Sequence, residues 1–328
     1  MQRILARAGQ IADEVLFPAA LNTDAADLVP TSVLDVLARE GLYGIGGPAE
    51  AGGLSLDLAT QYAVVETLAS GCLTTTFVWL QHRNPVRAVD ASHTPGLRDA
   101  WLEPLCRGER RAGIALAGNR PGPPLLEATE TPSGVVLAGE APWVSGWGRV
   151  DVLLVAARLG EDVLTCLVDA TAGPTLEAER LSLVGVNASG TVTLRFRDHA
   201  VPASRLVGRE PHAAVLERDA ASLRMNGSLA LGVTARCCRL MGPSALDEAL
   251  DGARDALDTA TVDGLPAARA RASALAMRAA TALIVTQGSR SILTDQHAQR
   301  LAREALFLLV FASRPPIRDA LVRRLSSA

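Results

Sequence analysis

The sequence predicts a mostly helical α+β fold in three parts, helical, then β, then helical. Residues 1–112 repeat apolar side chains at intervals of three and four, which is the period of an amphipathic helix. Residues 113–211 change to a period of two in short runs divided by Gly, Pro and Asp. From residue 212 to residue 328 the helical period returns in long Ala- and Leu-rich segments. At 328 residues the chain is long enough for two or three hydrophobic cores.

Each part shows its own elements. In the first part, a helix over 32–40 ends at Gly41, and a Gly-rich loop separates it from a second helix over 58–70. The middle part predicts a small sandwich or barrel, with strands over 134–137, 150–155, 163–168 and 190–196. The last part predicts helices over 214–241, 244–261, 266–293 and 298–312. Because aromatic residues make up only 3% of the chain, these helices must pack through Leu, Val and Ala ridges, as in a helix bundle.

Composition excludes several classes of function. The net charge is -3 with both signs interspersed, which leaves no basic stripe for a nucleic acid. All 32 basic residues are arginine, so the chain can build neither a Schiff-base lysine nor the Gly-Lys end of a phosphate-binding P-loop.

Cysteine and histidine usage points to a soluble protein without metal. The five cysteines have no Cys-x-x-Cys spacing, which indicates reduced thiols and a cytoplasmic location. The first 21 residues show helical spacing rather than a signal peptide, and the longest uncharged apolar run, 305–312, is far shorter than the roughly 20 residues that span a membrane. Metal-ligand spacing is absent from the histidines, His82, His93, His199, His212 and His297.

Several motifs in order resemble the acyl-CoA dehydrogenase family over essentially the whole chain. They are Pro-Ala-Glu-Ala-Gly-Gly-Leu at 48–54, Val-Glu-Thr-Leu-Ala at 65–69, Trp-Val-Ser at 143–145, Phe-Arg-Asp-His-Ala-Val-Pro at 196–202, Arg224 with Gly232, and Gln-Arg-Leu-Ala-Arg-Glu-Ala at 299–305. The resemblance implies an N-terminal helical domain over 1–112, a central β-barrel over 113–211 and a C-terminal four-helix bundle over 212–328. It also implies FAD held between barrel and bundle, in a dimer or tetramer.

The family's catalytic base is missing from its usual position. In the family this base is a Glu in a Tyr-Glu-Gly-Thr stretch, about a dozen residues after an Arg-x-x-Arg-Asp/Glu-Ala segment. The corresponding four residues here are 311–314, which places Ala312 at the base position. Some family members carry the Glu just before the arginine that Arg224 matches, but that neighbour is Leu223. We therefore assign no catalytic residue.

Two acids precede Arg224 on the same predicted helix. At 1.5 Å of rise per residue, Glu217 and Asp219 lie about 7 to 11 Å along the axis from Arg224, and neither is well placed as a base. Glu304 is a further acid near the base position, but its spacing from Arg300 predicts an ion pair within the helix.

The resemblance assigns cofactor and substrate roles to seven residues. For FAD they are Leu116, Ala117, Trp143, Ser145 and Arg314, and for the acyl-CoA they are Arg224 and Phe311. The FAD site is weakened, because residues 116–122 lack the hydroxyl and the acid of the family's Leu-Thr-Glu loop. Two alternatives stay open: Trp143 faces the flavin or packs in the β core, and Arg314 contacts a pyrophosphate or is a solvated helix end.

Two functions are consistent with these residues. The first is an FAD-dependent oxidoreductase of the acyl-CoA dehydrogenase type, acting on the CH–CH bond of an acyl thioester with an atypical or impaired base. The second is a non-catalytic protein of the same fold, either the partner subunit of a heteromeric dehydrogenase or an acyl-CoA binder. In both cases the expected partners are an acyl-CoA or related thioester and other subunits, either identical copies or a related dehydrogenase chain.

Overall fold

Helices from both ends of the chain share one hydrophobic core, and a β-sheet lies between them in sequence. The structure is a computed structural model that describes residues 2–326. The shared core contains Leu68 from the first part of the chain together with Leu231 and Leu301 from the last part, all at most 1% exposed. The sheet has a core of its own, with Leu137, Val155 and Leu194 at its centre.

The helices lie before and after the sheet. They are α1 (Gln2–Ile11), α2 (Phe17–Ala25), α3 (Thr31–Arg39), α4 (Leu58–Gly71), α5 (Leu73–Leu80), α6 (Arg83–Asp90), α7 (Leu97–Cys106), α8 (His212–Ala221), α9 (Leu223–Met241), α10 (Ala245–Thr259), α11 (Leu265–Gln287), α12 (His297–Val310) and α13 (Pro315–Ser326). A π-helical turn, Ala12–Leu16, joins α1 to α2.

Local sequence explains where several helices begin. The Asp57 carboxylate accepts a hydrogen bond from the Thr60 N–H at 2.7 Å and starts α4. Ser244 and Asp247 form a capping box at the start of α10. The close approach of α4 to α9 requires Gly232, since a Cβ there would lie 2.3 Å from the Glu66 carbonyl oxygen.

The sheet is open, so the predicted β-barrel is wrong. The strands are β1 (Ala112–Ala115), β2 (Leu126–Thr131), β3 (Gly134–Val144), β4 (Val152–Leu159), β5 (Asp162–Asp169), β6 (Leu176–Arg180), β7 (Val192–Pro202) and β8 (Leu206–Pro211). Their order in the sheet is β6-β7-β3-β2-β4-β5-β8, and β1 pairs in parallel with β4. Among the described residues no pairing joins the two edge strands, β6 and β8, and a barrel needs that pairing to close.

The C-terminal region is helical, as predicted, but its helices are divided differently. The single predicted helix over 214–241 is broken at Ser222 into α8 and α9. Residues 212–326 contain six helices rather than four. Strand structure begins at Ala112 and ends at Pro211, beside the predicted domain boundaries, although the division into three domains stays a prediction. No helix in the described part of the chain combines the length and apolarity needed to cross a membrane.

Candidate functional site

A β-bulge turns Trp143 out of the sheet. Ala141 pairs with Leu194, and Val144 pairs with Val192. Between these two pairs β3 therefore contains one residue more than β7. Trp143 has a left-handed backbone, with φ of 64°, and its side chain is 59% exposed. Packing of Trp143 in the β core, one of the two predicted alternatives, is therefore wrong. The exposed indole leaves an aromatic face available to a ligand.

Ser145 lies on the other side of the bulge and is buried. Its hydroxyl shares a hydrogen bond with the Thr191 hydroxyl at 2.8 Å, and Thr191 shares another with Ser189 at 2.7 Å. The Ser145 hydroxyl is thus held inside the sheet and is only 5% exposed. Its predicted contact with a flavin would require this chain of hydroxyl groups to rearrange.

The loop that contains Leu116 and Ala117 is pressed onto strand β4. Residues Ala117–Asn119 form a 3-10 turn, and a Cβ at Gly118 would lie 2.7 Å from backbone atoms of Ala156 and Ala157. Leu116 is half-buried and packs against a small cluster that includes Val163 and Val215. A side chain at residue 118, where the family has an acid, would therefore collide with the backbone of β4 in this chain.

Helix α8 is tied to the same loop by polar contacts. The Arg158 guanidinium donates to the Arg120 carbonyl at 3.2 Å and lies 3.0 Å from Nε2 of His212, the first residue of α8. His212 Nε2 is also 3.3 Å from the Asn119 carbonyl oxygen. The start of α8 thus lies over the loop. Asn119 Oδ1 is buried and has no hydrogen-bond partner within residues 2–326.

The chain has an unusual backbone conformation at the predicted base position, just after the end of α12. Phe311 ends the helix and stacks on Phe307, with ring centroids 5.3 Å apart, and its edge meets Phe77 at 5.0 Å. Ala312 follows with φ of 50°, a left-handed conformation that favours glycine. Its side chain is half-buried and is a methyl group, so this position offers no proton acceptor.

Arg314 forms an ion pair with Asp219 of α8. Burial raises the pKa of the Asp219 carboxyl, and the charge of Arg314 opposes that rise. The Arg314 Nε is buried without a hydrogen-bond partner in the described chain. The Arg314 side chain is thus paired but still 36% exposed, and both predicted alternatives for it stay open. Asp219, which we expected on one helix with Arg224, lies on α8 beside the loop that contains Ala312.

Arg224 is buried among protein groups. Its Nε donates to the Asp258 carboxylate at 2.6 Å, its Nη1 donates to the Ser228 hydroxyl at 2.9 Å, and its guanidinium lies 4.4 Å from the centroid of the Tyr62 ring. These contacts join α4, α9 and α10. With a 6% exposed side chain, Arg224 presents little of its guanidinium to a substrate.

The ion pair predicted for Glu304 is confirmed. Its carboxylate lies 2.6 Å from Arg300 Nη1, one helical turn away, and both side chains are at most 2% exposed. Burial raises the pKa of the Glu304 carboxyl, and the charge of Arg300 lowers it. Glu304 therefore belongs to the shared helical core rather than to the loop around Ala312.

The predicted site residues fall into two groups that α8 connects. Leu116, Ala117 and Trp143 lie on the sheet side, and the turn Ala117–Asn119 contacts both β3 and α8. Phe311, Ala312 and Arg314 lie on the helix side, where Asp219 links Arg314 to α8. Ser145 and Arg224 are turned into the interior instead. No group of three or more His, Cys, Asp or Glu side chains in residues 2–326 could hold a metal ion.

Sequence reasoning missed two features of this site. The pair of Arg314 with Asp219 joins positions far apart in sequence, one on α8 and one in the loop after α12. The cluster of Phe77, Phe307 and Phe311 gave a weak signal, because three of the five phenylalanines of the chain gather there. Phe307 and Phe311 are one helical turn apart, so their spacing predicts that these two rings lie on one helix face.

Comparison with known proteins identifies the fold. Residues 1–109 match the family model for the acyl-CoA dehydrogenase N-terminal domain. Butyryl-CoA dehydrogenase from Megasphaera elsdenii superposes with a TM-score of 0.83 at 17% identity, over 99% of this chain and 98% of that one. The FAD complex of PigA superposes with a TM-score of 0.83 at 17% identity, over 99% of this chain and 97% of that one. The three-part architecture is therefore that of the acyl-CoA dehydrogenase fold.

Curated relatives point to the same family. Mitochondrial isobutyryl-CoA dehydrogenase from Bos taurus is 26% identical over 201 residues, which are 59% of this chain and 48% of the relative. The chain spans about half the length of the curated relatives it matches. The match over residues 1–109 and these relatives make the chain similar to the acyl-CoA dehydrogenase family.

Proposed function

We propose that the chain is an acyl-CoA dehydrogenase-type flavoprotein that acts on the CH–CH bond of an acyl thioester with an impaired base. The proposal rests on the similarity to the acyl-CoA dehydrogenase family together with the methyl group of Ala312 in the loop where a carboxylate is expected. Losing a positioned base costs about 10²- to 10⁴-fold in rate, so the chain alone turns over slowly.

The residues around the loop fit FAD in part. The exposed Trp143 indole offers an aromatic face, and the partnerless Arg314 Nε suits a phosphate oxygen. Trp143, the backbone of Leu116 and Ala117, and Arg314 would hold the cofactor, whereas the hydroxyl of Ser145 is engaged inside the sheet. FAD bound there would supply the hydride acceptor for oxidation of the Cα–Cβ bond of an acyl thioester.

Within residues 2–326, the Ala312 loop has a paired carboxylate and a cluster of aromatic rings beside it. Asp219 is the carboxylate that the structure links to the Ala312 loop, and its ion pair with Arg314 holds it away from proton transfer. The phenylalanine cluster around Phe311 would supply an apolar wall beside an acyl chain.

A second function is favoured by the same missing base. The chain would be the non-catalytic partner subunit of a heteromeric dehydrogenase, or an acyl-CoA binder. A visible flavin absorption band near one equivalent supports the first function. Colourless protein that takes up no added FAD and requires a related subunit for activity supports the second.

Restoring the carboxylate tests the first function. In FAD-loaded protein, Ala312→Glu should raise dye-coupled turnover of butyryl-CoA by about 10²-fold or more, because it places a general base in the loop. The left-handed backbone at residue 312 already carries a Cβ, so the longer side chain adds little backbone strain.

Ala312→Gln is the matched control, since glutamine has nearly the same shape but cannot accept the proton. It should leave turnover at the wild-type level. Equal rates for wild type, Ala312→Glu and Ala312→Gln, measured with FAD bound at one equivalent, would show that the loop does not face the α carbon of the substrate.

A further inference from the structure

Among residues 2–326, five arginine side chains are at most 7% exposed. Three of them form ion pairs, Arg224 with Asp258, Arg236 with Asp13 and Arg300 with Glu304. The other two, Arg83 and Arg269, form no ion pair with a described residue. Both Nη atoms of Arg269 are nevertheless engaged, because they donate to the Ser273 hydroxyl and the Leu308 carbonyl. Arg83 is therefore the buried arginine whose charge and terminal nitrogens lack a partner.

The Arg83 guanidinium is held through one nitrogen only. Its Nε donates to the Gln61 amide oxygen at 2.6 Å, and the Gln61 amide nitrogen donates to the Leu56 carbonyl at 2.7 Å. Nη1 and Nη2 of Arg83 donate to no residue of the described chain, and neither is among its polar atoms that are sealed from solvent. Both terminal nitrogens are therefore accessible donors on a side chain that is otherwise buried.

A second unpaired guanidinium lies beside the first. Arg87 is one helical turn after Arg83 on α6, is exposed, and forms neither an ion pair nor a side-chain hydrogen bond within residues 2–326. Both arginine stems pack on Gly46, where a Cβ would lie 3.0 Å from Arg83 Cγ and 3.3 Å from Arg87 Cγ. The bare backbone of Gly46 thus allows the two stems to lie side by side.

Positive charge at this pair is not balanced by the protein. Burial, followed by the charge of Arg87, lowers the pKa of the Arg83 guanidinium to about 10, and no described carboxylate opposes this shift. At neutral pH both arginines are therefore charged, and like charges four residues apart on a helix repel each other. Arg83 is also the first residue of α6, at the positive end of the helix dipole. A bound anion would compensate this buried charge.

We propose that Arg83 and Arg87 form a binding site for a phosphate group, either inorganic phosphate or the terminal phosphate of a phosphomonoester. A phosphate group carries about 1.5 to 2 negative charges at pH 7 and nearly neutralises the two guanidinium groups, whereas a carboxylate neutralises only one. Guanidinium groups also bind phosphate oxygens through paired N–H donors. The inference shares no residue with the site around Ala312 and does not depend on the activity of that site.

The test uses the full-length protein, purified in buffer without phosphate. Isothermal titration calorimetry with inorganic phosphate, at an ionic strength held constant with NaCl, should show saturable binding of one equivalent. Acetate carries a single negative charge and should bind about tenfold more weakly or less. Glycerol 3-phosphate represents the phosphomonoesters. Tighter binding of glycerol 3-phosphate than of inorganic phosphate supports a larger phosphorylated ligand, and the reverse order supports the free ion.

Arg87→Gln should weaken phosphate binding about tenfold or more, because it removes one of the two charges. Arg83→Gln should abolish binding, and an unchanged melting temperature should show that this buried position tolerates the change. If Arg83→Gln does not fold, the exposed Arg87→Gln still decides the question.

Arg3→Gln is the matched control, because Arg3 is an exposed arginine on α1 and forms no ion pair with a described residue. It should leave phosphate binding unchanged. Three results would each overturn the proposal: phosphate affinity that Arg87→Gln does not alter, acetate binding as tight as phosphate binding, or no heat of binding beyond that of NaCl alone.

Discussion

His82 connects the N-terminal helices to the sheet through a neutral imidazole. The Ala112 N–H, at the start of β1, donates to His82 Nδ1 at 2.8 Å, so Nε2 carries the proton and donates to the Leu105 carbonyl at 2.9 Å. The ring is 1% exposed and meets Tyr43 edge-on. Burial lowers its pKa to about 4.

Stability should therefore fall as the solution becomes acidic. The folded pKa of about 4 lies below the ordinary 6.5, so His82 favours the folded state above pH 6.5, and this contribution is lost as the pH falls towards 4. Between about pH 7 and about pH 5 the loss from His82 is about 2 kcal/mol in the free energy of unfolding. Urea unfolding at the two pH values measures it.

His82→Gln should remove the His82 part of this pH dependence while lowering stability at neutral pH, because glutamine does not titrate. His297, whose pKa burial also lowers to about 4, should keep its own part. His93→Gln, at an exposed histidine, is the control and should keep the wild-type slope. A wild-type slope in His82→Gln would mean that other groups cause the acid sensitivity.

At the residue scale, contacts between side chains of one helix could be predicted from their spacing in the sequence. The pair of Glu304 with Arg300 follows from helical spacing alone. The direction of Trp143 could not be predicted, because one extra residue in β3 reverses which side of the strand a residue faces. The partner of Arg314 comes from another helix, and spacing along α12 carries no information about it.

At the scale of elements, the contact between α4 and α9 depends on a missing side chain. A Cβ at Gly232 would lie 2.3 Å from the Glu66 carbonyl oxygen and 2.7 Å from the Ala69 Cβ. Because a backbone atom cannot swing aside as a side-chain end does, the helices would have to separate. The Arg236 side chain crosses the same interface and donates to the Ser70 carbonyl at 2.6 Å.

Gly232→Ala should therefore destabilise the protein by about 2–3 kcal/mol, measured as the free energy of unfolding in urea. Gly9→Ala on α1 makes the same chemical change where nothing lies within 4 Å of the new Cβ. It should stabilise the protein by up to about 1 kcal/mol through helix propensity. Similar effects at the two positions would show that the contact at Gly232 does not control stability.

The break between α8 and α9 could not be predicted from the periodicity of apolar residues. The run over 214–241 has a continuous helical period and no Pro or Gly near Ser222, so the sequence predicts one helix. The structure interrupts the helix at Ser222, which has φ of -68° and ψ of -16°, and polar contacts from His212 and Asp219 join α8 to the sheet loop and to Arg314. Contacts between distant parts of the chain override the local pattern here.

At the scale of the whole molecule, the first and last parts of the chain stabilise each other. The α4 and α9 helices form one of the largest interfaces in the molecule, and the shared core takes buried side chains from both parts. Most of the apolar surface that α4 buries against α9 would be exposed to water if the C-terminal helices were removed.

A fragment of residues 1–109, the segment that matches the family's N-terminal domain, should therefore not fold alone. We expect weak helical circular dichroism and no cooperative thermal transition, because its half of the shared core has no partner. The full chain under the same conditions is the control and should melt cooperatively. A sharp melting transition of the isolated fragment would show that the shared core is dispensable for its folding.

The order of helical, β and helical parts could be predicted from the sequence, because the apolar period changes near residues 112 and 212. Closure of the sheet could not be predicted in this way. Whether two edge strands meet depends on the twist and stagger accumulated over the whole sheet, and no single strand carries that information. The expected barrel came from the family resemblance, and the strand order is open at β6 and β8.

The extra residue of β3 bears on how this surface could be redesigned. Removing Pro142 would bring the two strands back into step and leave residue 143 opposite Thr193, between the core-facing pairs of Ala141 with Leu194 and Val144 with Val192. The ring of residue 143 would then keep to the outer face of the sheet. A strand that is one residue shorter is therefore compatible with the same aromatic surface.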